Sequence, residues 1–365
     1  MSEIISTGLT SLLGILQGLS FQSLYIPNFR SLGIKTPLIV PPMAGLSGGE
    51  LAAQVTNGGG FGFISQVLHP AEVLISELSL ARSLLEIQSP TGKLPIGVGF
   101  LGWLLDKMPF DEAKSLLNAA SSANVQALWF SFGSDLGKWV QYVREHFPTE
   151  NSLIFVQVNS VEEAIHAVEN LKADVVVAQG IESGGHGSGH APPLSELLQG
   201  ILAQSYNSSH QPVFLAAGGL ANGADIASQL TLGAAGAVMG TRFLLTPESK
   251  YTDAQREALI VARSEDTVRT MAFDHARGTI DWPQGIDGRG LRNDTVLDFE
   301  RGESMNVIQS RFKEGTRTQD RKRFLVWAGT GVGSMNRVMP AKDVVKELHE
   351  ECQQQLAVDS KKLDL

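Results

Sequence analysis

One polar, glycine-rich segment carries the residue types best suited to chemistry: it reads Gln179-Gly-Ile-Glu-Ser-Gly-Gly-His-Gly-Ser-Gly-His190. Histidine changes protonation near neutral pH more readily than other side chains do, so His186 is a candidate general base. The glycines before it would let the backbone pass close to a bound molecule. The segment therefore predicts a catalytic imidazole beside a small-molecule substrate.

The same segment has a second interpretation as a zinc site, because His186 and His190 are four residues apart. On a helix that spacing would put both rings on one face, but Gly187 and Gly189 disfavour a helix here. Cysteine cannot complete the ligand set, since the only cysteine is Cys352 near the end of the chain. We therefore expect no metal, and we expect His190 to be a histidine of a surface loop.

Two further segments are rich in glycine, Ala216-Ala-Gly-Gly-Leu220 and Gly240-Thr-Arg242. Each could simply form a tight turn, since glycine adopts conformations that other residues avoid. Glycine also lets a backbone approach a ligand and present its amides. The two segments follow the last two of the predicted strands given below, where barrel proteins commonly hold a phosphate. Together they predict a site for a phosphate monoester.

A fourth segment of interest is Pro41-Pro-Met-Ala-Gly-Leu-Ser47. Met43 has a flexible, polarisable side chain that could pack on a flat apolar ring, while the amides of the turn bind the edge of that ring. Packing of Met43 in an ordinary core is the alternative interpretation. The choice between them depends on the elements that surround the segment.

Eight short apolar runs alternate with segments of helical periodicity, which predicts repeated βα units around a parallel sheet. The predicted strands are residues 37–41, 61–65, 95–100, 125–130, 153–158, 175–178, 213–216 and 235–239. Val175-Val-Val-Ala178 is apolar on both faces, as in a strand that is buried on both sides. The fold class is therefore α/β, a (β/α)8 TIM barrel, whose active sites lie at the carboxyl ends of the strands.

Helix signals and breaks in the pattern divide the chain. Ser47-Gly-Gly-Glu50 and Ser160-Val-Glu-Glu163 predict capping boxes, and Thr246-Pro247 and Pro340 predict the starts of two more helices. Residues 247–325 lose the βα rhythm, which predicts an inserted segment after strand 8 that caps the active site. The predicted regions are an N-terminal extension (1–35), the barrel (36–246 and 326–356), this insertion and a C-terminal tail (357–365).

Composition argues against several classes of partner. The formal net charge is −9 over 365 residues and no cluster of Lys and Arg offsets it, so we expect neither nucleic acid nor an anionic membrane as a partner. No run approaches the ~20 apolar residues of a spanning helix. A single cysteine rules out a disulfide framework and suits a reducing compartment, so we expect a cytoplasmic protein.

Several motifs, in combination and in order, resemble those of the nitronate monooxygenases, formerly called 2-nitropropane dioxygenases. They are Pro42-Met-Ala-Gly45, Glu50-Leu-Ala-Ala53, Gly58-Gly-Gly-Phe-Gly62, the segment from Ala178 to His186, Ala217-Gly-Gly-Leu220 and residues 233–241. The resemblance covers roughly residues 36–245 and 327–348. Two places depart from the family pattern: Val40-Pro41 stands where Gln-Ala is frequent, and Glu182-Ser183 stands where Glu-Ala is frequent.

This resemblance implies an FMN-dependent barrel enzyme that oxidises alkyl nitronates or nitroalkanes with O2. His186 would be the catalytic residue. The isoalloxazine ring would rest against Pro42, Met43 and Ala44, with Gln157 and Gln179 at its polar edge. The residues implied around the ribityl phosphate are Gly184, Gly185, Gly218, Gly219, Gly240 and Thr241.

Three other functions remain open from the sequence. The flavin-dependent enoyl-acyl-carrier-protein reductases share the Gly-Gly-His motif and take hydride from NAD(P)H, and they need no separate dinucleotide fingerprint. The IMP dehydrogenase and GMP reductase group attacks its purine with a cysteine in a barrel loop, whereas Cys352 lies in the charged C-terminal segment. A flavin-binding regulatory protein without turnover is the last, and in it His186 would be only a loop residue.

Overall fold

Eight parallel strands close into a barrel in the computed structural model, which describes residues 32–67, 69–147, 152–208 and 212–363. In order round the wall they are β1 (Leu38–Val40), β2 (Phe61–Gln66), β3 (Leu94–Leu101), β4 (Val125–Ser131), β5 (Leu153–Val158), β6 (Val175–Gln179), β8 (Val213–Ala217) and β9 (Gly236–Val238). The predicted (β/α)8 barrel is confirmed, and each predicted strand agrees with the observed one to within one residue at either end. The predicted N-terminal extension lies outside the described residues up to position 31, as do residues 364 and 365 of the predicted tail.

Alternate residues of the strands face the inside and the outside of the barrel, and both sets are apolar. Val175 and Val177 of β6 pack inside the barrel, whereas Val176 packs beneath the surrounding helices. Inside, the rings of Phe63 and Trp129 meet edge to face with their centroids 5.2 Å apart. The barrel is thus a packed core rather than a pore, and a site can form only at one of its ends.

Helices on the outside connect the strands. They are α1 (Gly49–Gly58), α2 (Ala71–Leu84), α3 (Gly102–Lys107), α4 (Phe110–Ser122), α5 (Leu136–His146), α6 (Val161–Glu169), α7 (Leu194–Leu202), α8 (Gly223–Thr231) and α9 (Thr241–Leu244). A closing helix, α14 (Ala341–Leu363), begins after Pro340 as predicted, packs against α1 and α8, and continues beyond residue 356. None of the helices in the described ranges is long and apolar enough to cross a membrane.

The two predicted capping boxes have different outcomes. Ser160 caps α6 by accepting a hydrogen bond from Glu163 N at 3.1 Å, although the Glu163 carboxylate binds the amide of Asn159 instead of that of Ser160. The box at Ser47 is wrong, because Gly48 is the cap residue of α1 and makes no side-chain cap. A carboxylate from outside replaces it: Glu77 of α2 accepts from Gly49 N at 2.6 Å.

Residues 247–325, here called the cap segment, form a small structured layer. It contains α10 (Asp253–Val261), β10 (Thr267–Thr270), α11 (Ala272–Arg277), β11 (Ile286–Leu291), α12 (Asp294–Glu300) and α13 (Met305–Thr318). The prediction that a helix starts at Thr246-Pro247 is wrong, because Thr246 lies in a turn and donates its hydroxyl to Phe243 O. The helix begins at Asp253, where Thr252 and Gln255 form a capping box. The division of the chain into barrel and insertion stays a prediction.

The segment that carries His186 is a strand rather than a loop. β7 (Gly185–Ser188) pairs antiparallel with β11, which puts His186 opposite Gly288, and β11 pairs in turn with β10. Glycine-rich sequence disfavours a strand by itself, so the pairing with the cap segment determines this conformation. The residue of greatest chemical interest is therefore fixed between the barrel and the cap segment.

Candidate functional site

A single cleft opens at the carboxyl ends of the barrel strands and encloses about 1160 Å³, its open mouth included. Its lining comes from the barrel loops, from Trp282 of the cap segment and from residues 327–335. Every residue that the sequence assigned to the cofactor or to catalysis lines this cleft: Pro42, Met43, Ala44, Gln157, Gln179, Gly184, Gly185, His186, Gly218, Gly219, Gly240 and Thr241. The structure brings them together, and their roles stay predictions.

The turn after β1 presents Met43 to the cleft. Ser47 Oγ accepts a hydrogen bond from Met43 N at 2.8 Å, and Met43 O accepts one from Leu46 N at 2.8 Å. This is what Ser47 does instead of capping α1. These bonds hold the turn, and Pro42, Met43 and Ala44 line the cleft at the strand end.

Two amide side chains meet at the ends of β5 and β6. Gln157 Nε2 donates to Gln179 Oε1 at 2.9 Å, and Gln179 Nε2 donates to the carbonyl of His186 at 3.2 Å. Asn159, which is buried, also donates to Gln179 Oε1, at 3.0 Å. Sequence reasoning missed Asn159. Its bonds fix the orientation of Gln179, so the polar edge of the cleft is preset.

A backbone surface of glycines forms the end of the cleft next to β8 and β9. Gly218 and Gly219 have φ of +119° and +73°, in the left-handed region that favours glycine. A Cβ on Gly184 would lie 2.4 Å from Gly329 N, so the two backbones touch. This surface, here called the glycine cradle, consists of Ser183, Gly184, Gly185, Gly218, Gly219, Gly240, Thr241, Gly329 and Gly331.

Two features of the glycine cradle were not predicted. Gly329 N donates to Thr241 Oγ1 at 3.0 Å, which joins the segment after the cap to the segment after β9. The repeated glycines of Trp327-Ala-Gly-Thr-Gly-Val-Gly333 were a signal that could have placed this segment at the site. Ser183 has a buried hydroxyl with no hydrogen-bond partner in the described part of the chain. A buried, unpaired hydroxyl beside a glycine surface suits a ligand that accepts hydrogen bonds.

His186 lines the same cleft and contacts two tryptophans. Its ring stacks on Trp282 of the cap segment with centroids 3.6 Å apart, and it meets Trp327 edge to face at 4.9 Å. Both carboxylate oxygens of Asp274 lie 3.0 Å from His186 Nε2. The His186 side chain is 9% exposed and that of Asp274 is fully buried. An imidazole, a carboxylate and an aromatic wall thus form one unit.

Burial and charge set the protonation of this unit. Burial lowers the pKa of His186 below 6.5, and this outweighs the opposing effect of Asp274. Burial alone would raise the pKa of Asp274, but hydrogen bonding from His186 and the charge of Arg277 hold it below its usual range. At neutral pH the unit is therefore a neutral imidazole beside a carboxylate. A neutral imidazole can accept a proton from a substrate.

The cap segment supplies the other groups around Asp274. Its carboxylate accepts from Arg277 Nη2 at 2.8 Å, from Thr279 Oγ1 at 2.9 Å and from Trp282 Nε1 at 3.1 Å. Sequence reasoning missed Asp274 and Trp282, because 88 residues separate Asp274 from His186 and no local pattern links them. The cap segment was predicted to cover the site, and Trp282 does line the cleft.

The remaining candidates lie away from this unit. His190 is exposed and does not line the cleft, as expected for a surface histidine. Within the four described ranges, no group of three His, Cys, Asp or Glu side chains could hold a metal ion. Cys352 is buried in α14, where burial raises its pKa to about 12, so it is no nucleophile for the cleft.

Large apolar side chains also line the cleft. They include Phe100, Leu101, Trp129, Phe132, Leu244, Trp282 and Trp327. Among the described residues that line the cleft, none is Lys, Arg, Asp or Glu. A substrate in this cleft meets backbone groups, amides, hydroxyls and one imidazole, but no fixed charge. The arrangement suits a small, weakly polar molecule.

Comparisons with known proteins identify the family of the chain. A family model described as nitronate monooxygenase matches residues 28–351. Nitronate monooxygenase npaC of Metarhizium robertsii is 32% identical over 335 residues, which are 87% of this chain and 91% of that protein.

Two solved structures have the same fold. Nitroalkane oxidase from Streptomyces ansochromogenes is 24% identical with a TM-score of 0.73, and the match covers 91% of this chain and 99% of that one. FabK from Thermotoga maritima is 24% identical with a TM-score of 0.71, and the match covers 92% of this chain and 98% of that one. The match to the family model and the similarity to npaC show that the chain belongs to the nitronate monooxygenase family, whose members are flavin-dependent oxidoreductases.

Proposed function

We propose that the protein binds FMN in the cleft and oxidises small alkyl nitronates or nitroalkanes with O2. One observation carries the proposal: the glycine cradle and the buried imidazole of His186 line the same cleft, together with large apolar side chains. A flavin nucleotide needs a phosphate site and a surface for its ring, and the oxidation of a neutral nitroalkane also needs a base. The glycine cradle, the turn at Pro42 to Ala44 and His186 support these three roles in that order.

The residues present fit FMN. The glycine cradle lies after β8 and β9, the usual phosphate position of a barrel, and the unpaired hydroxyl of Ser183 lies there as well. Ser183, Gly184, Gly218, Gly219, Gly240 and Thr241 would hold the phosphate. Pro42, Met43 and Ala44 would support the ring, and Gln157 and Gln179 would bind its polar edge. A volume of about 1160 Å³ with its mouth is ample for this group.

The bound flavin would take electrons from the substrate and pass them to O2. His186 would accept the α-proton of a neutral nitroalkane, since its pKa is held below 6.5 and the imidazole is neutral. Trp282 and Trp327 would exclude water from the reacting carbon and hold the alkyl group. A nitronate has already lost that proton, so it would need from His186 only orientation.

The test is an anaerobic titration of the purified protein. We expect a yellow protein that releases FMN on denaturation, whose visible absorbance is bleached by an alkyl nitronate and not by NADPH. Bleaching by NADPH alone would favour the enoyl reductase alternative. A colourless protein that cannot be reconstituted with FMN would refute the proposal. A cytoplasmic location stays a prediction.

A further inference from the structure

We infer that Asp274 is a positioning residue which holds the hydrogen of His186 on Nε2, so that Nδ1 is the atom that takes the proton of the substrate. The chemical role of Nδ1 rests on the proposed function. The assignment of the hydrogen does not, because it follows from the structure around the ring.

The geometry of the pair defines the tautomer. Both oxygens of Asp274 lie 3.0 Å from His186 Nε2, and an ionised carboxylate can only accept hydrogen bonds. The hydrogen between them must therefore be on Nε2. A neutral imidazole carries one N–H, so the lone pair is on Nδ1. No hydrogen bond among the described residues engages Nδ1.

The charge around the carboxylate supports its ionised state. Arg277 Nη2 lies 2.8 Å from Asp274 Oδ1, and hydroxyl and indole donors occupy the same oxygen. The charged groups that act on His186 are Asp274 and Arg277 of α11 and Arg269 of β10. Of these only Asp274 favours the protonated ring. Its removal would therefore lower the pKa of His186 further.

A second buried carboxylate in the cap segment provides a matched control. Asp298 of α12 is also buried, and it binds Arg311 at 2.8 Å and Arg323 at 2.5 Å. It has no contact with His186 and does not line the cleft. Asp298→Asn thus removes a buried charge from the same segment without touching the base. An effect that both variants share is due to the loss of a buried charge. An effect seen only in Asp274→Asn is due to the change of tautomer at His186.

The first measurement is the ¹⁵N NMR signature of the His186 ring, assigned by its disappearance in His186→Asn. We expect hydrogen on Nε2 in the wild type, where the carboxylate of Asp274 accepts it. In Asp274→Asn the amide NH2 can donate to Nε2, and we expect the hydrogen to move in part to Nδ1. A wild-type ring with hydrogen on Nδ1 would overturn the inference whether or not any variant folds.

The second measurement is kinetic. Asp274→Asn should lower kcat for a neutral nitroalkane by about 100-fold, the scale of losing a positioned base, and turnover of the nitronate by less than about 10-fold. The acidic limb of kcat/KM for the nitroalkane should move to lower pH. Asp298→Asn should leave unchanged both the ratio of the turnover rates for the two substrates and the position of the acidic limb of kcat/KM.

The outcomes distinguish this inference from the proposed function. If Asp274→Asn matches Asp298→Asn in NMR signature, substrate ratio and pH limb, Asp274 has only a structural role. If the wild type oxidises neither nitro compound and yet its ring carries hydrogen on Nε2 and loses this in Asp274→Asn, the proposed function fails and the tautomer assignment stands.

Discussion

Two parts of the cleft lining differ in how they are built. The glycine cradle is mostly backbone, because Gly184, Gly218 and Gly219 leave room for the close approach of a ligand. The part around His186 is made of side chains, with the imidazole bonded to Asp274 and stacked on Trp282 of the cap segment. On the proposed function, the first part binds the cofactor and the second carries out the chemistry. Changes to the cradle should affect retention of the cofactor, and changes to the part around His186 should affect turnover.

The largest expected effect is that of Gly219→Asp, which should abolish flavin retention. A carboxylate there would confront the phosphate, and a Cβ would lie 2.9 Å from that of Glu182. The measurement is visible absorbance per protein, with circular dichroism as the check on folding. Gly302→Asp is the control, because Gly302 also has positive φ, +74°, but faces open space. Full flavin content in a natively folded Gly219→Asp variant would contradict the assignment of the glycine cradle to cofactor binding.

His186→Asn should do the opposite, keeping FMN while losing activity. We expect turnover of a neutral nitroalkane to fall by roughly 100-fold or more, and turnover of the nitronate to fall less, because the nitronate needs no base. The measurements are the steady-state rates with both substrates and the flavin content of the purified variant. Equal and trivial losses would remove His186 from the mechanism, and a loss of flavin would make the residue structural.

Trp282→Ala should have an intermediate effect that leaves the flavin bound. The ring stacks on His186 at 3.6 Å and lines the cleft, so its removal should raise KM for a small nitroalkane about 3- to 10-fold, the scale of an aromatic contact worth roughly 0.5–1.5 kcal/mol. Trp282→Phe keeps a ring and should be milder. Loss of flavin from Trp282→Ala would show that retention of the cofactor also depends on the residues around His186.

The smallest expected effect is on stability at acid pH. Because the pKa of His186 is lower in the folded protein than its ordinary 6.5, the unfolded chain binds the proton more readily as pH falls through that value. Stability should therefore fall from pH 7 to pH 5. His186→Asn should reduce this fall. The free energy of unfolding in urea at the two pH values tests it, and an identical fall in both proteins would contradict it.

Predictions from the sequence were correct where a structural requirement restricts the types of neighbouring residues. A strand buried on both faces needs an apolar run such as Val175-Val-Val-Ala178, and a backbone ligand site needs glycines such as Gly218 and Gly219, so both were predictable. The barrel strands and the lining of the cleft follow from such patterns.

The side-chain partners of His186 left no comparable pattern. Asp274 is one acidic residue among many in a segment without periodicity, and only the fold brings it to a ring 88 residues away. The same applies to Glu77, whose carboxylate replaces the predicted cap at Ser47 from a different helix. Contacts between side chains that are distant in sequence depend on tertiary packing, which a single sequence does not display.

The pairing of β7 with β11 has a consequence for how such a protein can diversify. Because His186 lies opposite Gly288 in that pairing and bonds to Asp274, the cap segment supplies both the strand partner and the carboxylate partner of the histidine. A chimera that took its cap segment from a relative would replace both partners together with Trp282 of the cleft lining. A graft should therefore be cut outside residues 247–325, so that β11 and Asp274 are transferred together.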